Sequence, residues 1–169
     1  WMLVEDGRLK LGDRVAKYLP SFEGEGLGDV TIEHLLRHES GLPMSLIMGD
    51  DSRKLTSVRA LADRASGRAL DFAPGTAFQY SDQGTDTLTA VIEVVTGAPA
   101  EDFVRARLLE PLGMTSTACL LPEGHPLRAR MCSAYAGPPR TWTRFMGPKD
   151  PALFPVFLGS QSLYSTTED

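Results

Sequence analysis

The segment from Asp82 to Thr96 constrains this chain most. Leu88, Val91, Ile92 and Val95 fall at i, i+3, i+4 and i+7, the spacing of one face of a 3.6-residue helix. Gly97 stands just past its end, where a residue free to turn left-handed closes a helix. A helix with one apolar stripe buries that stripe against neighbours, so the rest of the chain has to supply them.

Most of the other readable segments are also helical. Thr31 caps a short helix reading from Ile32 to His38, which stops at Ser40-Gly41 before Pro43. Thr56 or Ser57 caps a helix through Ala65, ended by Gly67, with Val58, Leu61 and Ala65 on its apolar face. Pro99 suits the first turn of a helix running to Leu109, with Phe103, Val104 and Leu108 as its buried residues. Phe72 to Thr76 reads as a turn, because Pro74 fixes one position and Gly75 frees the next. Phe78 to Ser81 reads as a short extended run. From Thr115 to Gly159 no periodicity is sustained. Pro138, Pro139, Pro148, Pro151 and Pro155 stand there among Trp142, Phe145 and Phe154, as in an ordered functional loop or a flexible insertion.

The two ends carry helix signals without helices. Leu3-Val4 followed by Glu5-Asp6-Gly7 reads as the last turn of a helix meeting a Gly cap. Ser165-x-x-Glu168 is a capping-box pattern that predicts a helix starting near the last residue. Residues 1–169 are therefore expected to be one partial domain, truncated at both ends. Its content is mainly helix with little strand, as if a sheet lay outside it.

Composition excludes several function classes. Hydrophobic residues make up 42% and charged residues 23% of the 169, which is ordinary globular usage and argues against disorder. A net charge of -5 without a basic cluster argues against nucleic acid as a partner. There is no apolar run of membrane-spanning length. Cys119 and Cys132 are too few for a disulfide framework or a four-thiolate zinc site; one bridge between them is open, and a buried or unpaired pair is the favoured expectation.

Several polar groupings have a plain reading. His34 and His38 stand at i, i+4, a spacing that can chelate zinc. The zinc-protease pattern needs Glu directly after the first His, and Leu35 stands there, so no metal is expected. Glu101, Asp102 and Glu110 read as a solvated face with Arg105 and Arg107. Met44 and Met48, in a loop with Asp50 and Asp51, have two readings, the lining of a substrate mouth and the commoner one of adaptable filler. Gly159-Ser160-x-Ser162 reads as turn chemistry.

Five motifs then occur in order. They are Leu3-Val4-Glu5-Asp6-Gly7-Arg8-Leu9, Leu35-Leu36-Arg37-His38-Glu39-Ser40-Gly41-Leu42-Pro43, Pro74-Gly75-Thr76-x-Phe78-x-Tyr80-Ser81-Asp82, Glu110-Pro111-Leu112-Gly113-Met114 and Leu163-Tyr164-Ser165-Thr166-x-Glu168-Asp169. Together they resemble the serine beta-lactamase-related family: class C beta-lactamases, DD-peptidases (penicillin-binding proteins) and their esterase relatives. The resemblance implies an α/β (α+β) beta-lactamase/transpeptidase-like fold, of which this chain is mostly the helical lobe with little of the sheet. It implies an acyl-serine mechanism on an ester, amide or beta-lactam, and no cofactor. The partner implied for the parent protein is a small-molecule or peptide substrate. A periplasmic or extracellular location fits the resemblance.

The family's site has three motifs, and one is visible. Ser-x-x-Lys is absent: Gly7, Arg14, Asp51 and Met146 stand three residues before the four lysines. Lys-Thr-Gly and His-x-Gly are absent too. Tyr80-Ser81-Asp82 matches the Tyr-x-Asn motif, and the resemblance makes Tyr80 and Asp82 the candidate catalytic residues. Tyr80 would shuttle a proton, with an ammonium nearby to lower its pKa. Asp82 departs from the family's Asn. An ionised Asp offers no amide N–H to a substrate carbonyl, which weakens the case for beta-lactam hydrolysis and leaves ester or peptide chemistry open. The chain as written is not expected to turn over substrate. The other reading is a non-catalytic binding or scaffold protein derived from the same fold.

Overall fold

A computed structural model describes residues 1–45 and 53–169. Its longest element is the helix foreseen at the centre of the chain. We label the helices α1 (Met2–Glu5), α2 (Ile32–Leu36), α3 (Val58–Ser66), α4 (Asp82–Thr96) and α5 (Ala100–Val104). The strands are β1 (Ala134–Ala136) and β2 (Thr143–Met146). Helix α4 packs against α2, α3 and α5.

Local chemistry fixes both ends of α4. Ser81 Oγ accepts the Gly84 N–H at 2.9 Å, which satisfies one of the donors a helix start leaves open. Gly97 closes the helix at φ 73°, and its N–H reaches Glu93 O. Val91 and Ala90 are fully buried, and Leu88, Ile92 and Val95 pack against the same core. That core also holds Phe22, Ile32, Leu35 and Leu61, each at or near zero exposure. Each such side chain contributes about 1.5–3 kcal/mol by leaving water. The buried face continues toward the N-terminus as Gln83, Gly84, Asp86 and Thr87, which are not apolar. Gln83 has no hydrogen-bond partner for either side-chain polar atom.

Helix α2 begins as expected and ends early. Thr31 Oγ1 accepts the His34 N–H at 3.2 Å, and the Thr31 N–H donates to His34 Nδ1 at 3.3 Å. This is a reciprocal capping box with His34 in the place of the usual Glu or Gln. The helix stops at Leu36 rather than running to His38, because His38 takes a left-handed φ of 57°. The Glu39 N–H then reaches back to His34 O at 2.8 Å and the His38 N–H to Leu35 O at 3.3 Å, a Schellman closure built on His instead of Gly.

The helix α3 has Ser57 as its cap and Gly67 at its end, as expected. After α5 the chain widens into a π-helical turn, Arg105–Leu109. The extra residue per turn rotates the buried position by one. Leu109 is buried and Leu108 is exposed, which corrects the expectation for Leu108.

The Pro-rich stretch is ordered and contains the only sheet among the described residues. Strands β1 and β2 pair antiparallel, with a bulge between Ala134 and Tyr135. Strands this short cannot show alternation, so the pattern missed them. The stretch is tied down by Arg128. Its buried guanidinium donates to the carbonyls of Leu121 (2.6 Å), Pro148 (3.1 Å) and Asp150.

The expected helix start at Ser165 does not form. Ser165 Oγ pairs with Thr117 Oγ1 at 2.7 Å, and Tyr164 forms an antiparallel bridge with Ala118. Thr166 Oγ1 accepts the Asp169 N–H instead, at 3.2 Å. At the other end, α1 ends in Gly7 at φ 69°, as read. Cys119 is buried and Cys132 exposed, and both are free thiols. Among the described residues, no helix is long and apolar enough to cross a membrane.

Candidate active site

The site candidates sit where the chain enters α4. Residues 78–82 are stitched to the loop after α2 along their length. The Gln79 N–H donates to His38 O at 2.9 Å, and the Ser81 N–H donates to His38 Nδ1 at 3.2 Å. Ser81 Oγ donates to Pro43 O at 2.8 Å, and the Asp82 N–H to Met44 O at 2.7 Å. The loop itself is set by Gly41, at φ 76°. A Cβ there would lie 2.2 Å from Phe72 O, so no larger residue fits.

This stitching separates the three motif residues by role. Ser81 faces inward and caps the helix. Tyr80 remains 51% exposed, with its ring over His38 at a centroid distance of 4.7 Å and a tilt of 37°. Asp82 occupies the first turn of α4, where the positive end of the helix favours an anion.

Asp82 governs the Tyr80 phenol. It raises the phenol pKa, first by accepting its hydrogen bond and then by charge, with a smaller push from Asp86. The charges acting on Tyr80 are carboxylates, so the shift runs opposite to the lowering expected from an ammonium. The phenol therefore stays protonated at neutral pH.

Two further groups complete the cluster, and neither was singled out in the sequence. Asp86 lies one turn deeper on α4 and is 1% exposed. Its Oδ1 accepts the Ser160 hydroxyl at 2.8 Å and the Ser160 N–H at 3.2 Å. Burial pushes its pKa up to about 6, more than the Ser160 hydrogen bonds lower it, and Asp82 adds repulsion. Gln161 Nε2 donates to Asp82 Oδ2 at 3.2 Å. The Gly159–Ser162 segment is a turn, as expected: the Gln161 and Ser162 N–H groups both reach Leu158 O. It also reaches α4, which turn chemistry alone does not foretell. The available sequence signal for Asp86 was an acid four residues after Asp82, in line with Ala90 on the core side.

The remaining groupings have local work. His34 serves the α2 cap and His38 the 78–82 stitching, so neither is turned toward a shared ion. Among the described residues, no cluster of three or more His, Cys, Asp or Glu could hold a metal. Arg105 bridges Asp102 and Glu110, each at 2.7 Å. Arg107 pairs with Asp6 rather than with that acidic group. Met44 is exposed, while Met48, Asp50 and Asp51 lie outside the described residues.

Comparison with known proteins is consistent along the chain. A family model described as Beta-lactamase matches residues 1–169. Penicillin-binding protein 4* of Bacillus subtilis is 35% identical over 121 residues, covering 69% of this chain and 26% of that protein. Penicillin-binding protein 4 of Amycolatopsis lactamdurans is 33% identical over 138 residues, covering 80% of this chain and 35% of that protein. The chain thus spans about a quarter to a third of the length of these curated relatives. The crystal structure of a penicillin-binding protein from Bacillus halodurans superposes with a TM-score of 0.75 at 23% identity, covering 99% of this chain and 50% of that one. That likeness shows a beta-lactamase/transpeptidase-like fold, here mostly helical with a two-stranded sheet.

Proposed function

The chain belongs to the beta-lactamase family, and from that premise we propose that it carries the helical-lobe side of an acyl-serine hydrolase site, with Tyr80 and Asp82 as its catalytic pair. The observation that carries this reading is the placement of Tyr80. Its ring is seated on His38, its hydroxyl is under the control of Asp82, and it stands exposed at the open end of α4.

In acyl transfer, a serine oxygen attacks the scissile carbonyl, the acyl bond forms, and the leaving group departs with a proton. A protonated phenol within hydrogen-bond reach supplies that proton, and the phenolate recovers one from the incoming hydroxyl. The Asp82 carboxylate pushes the phenol pKa up and so keeps it protonated. An ammonium placed beside Asp82 would neutralise this push and let the phenol act in both directions. Ser-x-x-Lys does not occur among these 169 residues, so this reading needs a nucleophile from outside the chain. With Asp82 in place of an amide, esters and peptide amides are the favoured substrates over beta-lactams.

The test uses the complete gene product that carries this chain. It should hydrolyse p-nitrophenyl acetate, and Tyr80→Phe should lower kcat by about 10²- to 10⁴-fold. Asp82→Asn should also change the rate. A kcat within twofold of wild type for Tyr80→Phe would refute the catalytic role and leave a non-catalytic binding protein.

A further inference from the structure

We infer that the β1–β2 hairpin is an interfacial anchor that seats the protein on an anionic lipid surface, with Tyr135, Trp142 and Phe145 at headgroup depth and Arg130, Arg140 and Lys149 on the phosphates. The argument begins with exposure. Every residue from Tyr135 to Phe145 is exposed, so the hairpin stands clear of the core and neither of its faces is covered. Tyr135 is 55%, Trp142 61% and Phe145 49% exposed. Tyr135 lies across from Arg144, and Trp142 stands two positions before Arg144, so these two rings share a side. Phe145 takes the other side. Three large rings left in water on one short ribbon mark a contact surface.

Charge says what covers it. Five of the chain's 17 cations and none of its 22 acids fall within residues 126–149. They are spaced too widely to read as a run along the sequence. Arg128 is buried on three carbonyls, and Arg144 pairs with Asp150 at 3.1 Å, which neutralises the first acid past the hairpin. Arg130 donates to Ser116 Oγ at 2.9 Å, and neither it nor Arg140 nor Lys149 has an acidic partner among the described residues. Arg140 also sits against its backbone's preference. Its φ of 72° at the hairpin turn lies in the region that favours Gly, and a larger residue persists there where its side chain is used. The turn itself is poor in open backbone groups. Pro138 and Pro139 have no N–H, and Pro138 O accepts both the N–H and the hydroxyl of Thr141, at 3.0 and 3.1 Å. That lowers the cost of entering a layer short of water. Aromatic rings settle at the headgroup level of a bilayer, and long cationic side chains reach the phosphates from there. A soluble polyanion would match the charge but offers no apolar layer for three rings. An anionic lipid surface matches both.

The experiment sediments the complete gene product with vesicles of phosphatidylcholine alone and of equal parts phosphatidylcholine and phosphatidylglycerol. The wild type should bind the mixed vesicles more tightly, and salt should weaken that binding. Arg140→Gly suits the backbone and should bind the mixed vesicles about fivefold more weakly, the effect of one cation near an anionic surface. Trp142→Thr should weaken binding about tenfold or more, at high salt as well as low, because the ring contributes apolar burial. Both variants should unfold no earlier than the wild type, which separates lost docking from a lost fold. Binding is read without substrate, so it stands or falls apart from the catalytic reading. Binding to mixed vesicles that neither substitution weakens overturns the inference, because another part of the protein then holds the lipid. Equal binding to both kinds of vesicle overturns it as well. Loss with Arg140→Gly and none with Trp142→Thr leaves a site for a soluble polyanion and overturns the lipid surface.

Discussion

Asp86→Asn tests the electrostatics of the cluster without touching its packing. Asp86 is 1% exposed and its pKa stands at about 6, against an ordinary value of 3.8. A difference of that size corresponds to about 3 kcal/mol. The sign follows from proton binding. Between about pH 4 and pH 6 the folded chain holds a proton on Asp86 that the unfolded chain has released, so stability falls as pH rises through this window. At neutral pH the wild type carries a desolvated carboxylate. Asn has nearly the same shape, and its oxygen accepts the same two bonds from Ser160. Asp86→Asn should therefore gain on the wild type as pH rises, by up to about 3 kcal/mol at about pH 7.5 relative to about pH 4. Urea unfolding of both proteins at several pH values measures this. Other titrating groups, among them Asp13 and Glu93, cancel in the difference. A wild-type-minus-variant difference that stays flat across this range would refute the reasoning, as would a variant that loses stability relative to the wild type as pH rises.

Ser81→Ala should destabilise the chain by about 1–2 kcal/mol, since it removes the α4 cap and the bond to Pro43 O; a shift in urea midpoint with unchanged slope is expected, and no shift would show that the cap is idle. Cys132 should react quickly with a disulfide reagent in the native state, while Cys119, buried and with its thiol pushed up to about 11, should react only on unfolding. Equal rates for the two thiols would contradict the fold around Cys119.

The sequence was most legible where one residue's side chain meets backbone a few positions away. Ser57, Ser81, Gly67 and Gly97 mark the ends of α3 and α4 because capping is local. It was least legible where a distant partner competes. Ser165 has the right neighbours for a cap, yet Thr117 takes its hydroxyl from 48 positions away. His38 looks helical by spacing, but its turn delivers its ring to Tyr80 and Ser81. Leu108 loses its place to Leu109 through a π turn that no periodicity announces. The site divides the same way. Tyr80 and Asp82 could be picked out because their spacing is a motif. Gln161 could not, because it meets Asp82 across 79 positions.

The cluster at the mouth of α4 raises a question that two substitutions separate. A buried carboxylate with a raised pKa is a cost to folding, and natural chains keep such costs where a site needs them. Asp86 could be kept for its charge or for its shape as an acceptor. If the acceptor matters, Asp86→Asn holds Ser160 as before, and turnover survives while stability at neutral pH rises. Asp86→Ala then loses the Ser160 bonds, frees the turn and lowers turnover. If the charge matters, both substitutions alter turnover alike, since removing it relieves the upward push on Tyr80 that Asp86 adds to that of Asp82. The pH profile of kcat distinguishes these cases: the phenol-dependent limb should move down under the charge role and stay in place under the acceptor role.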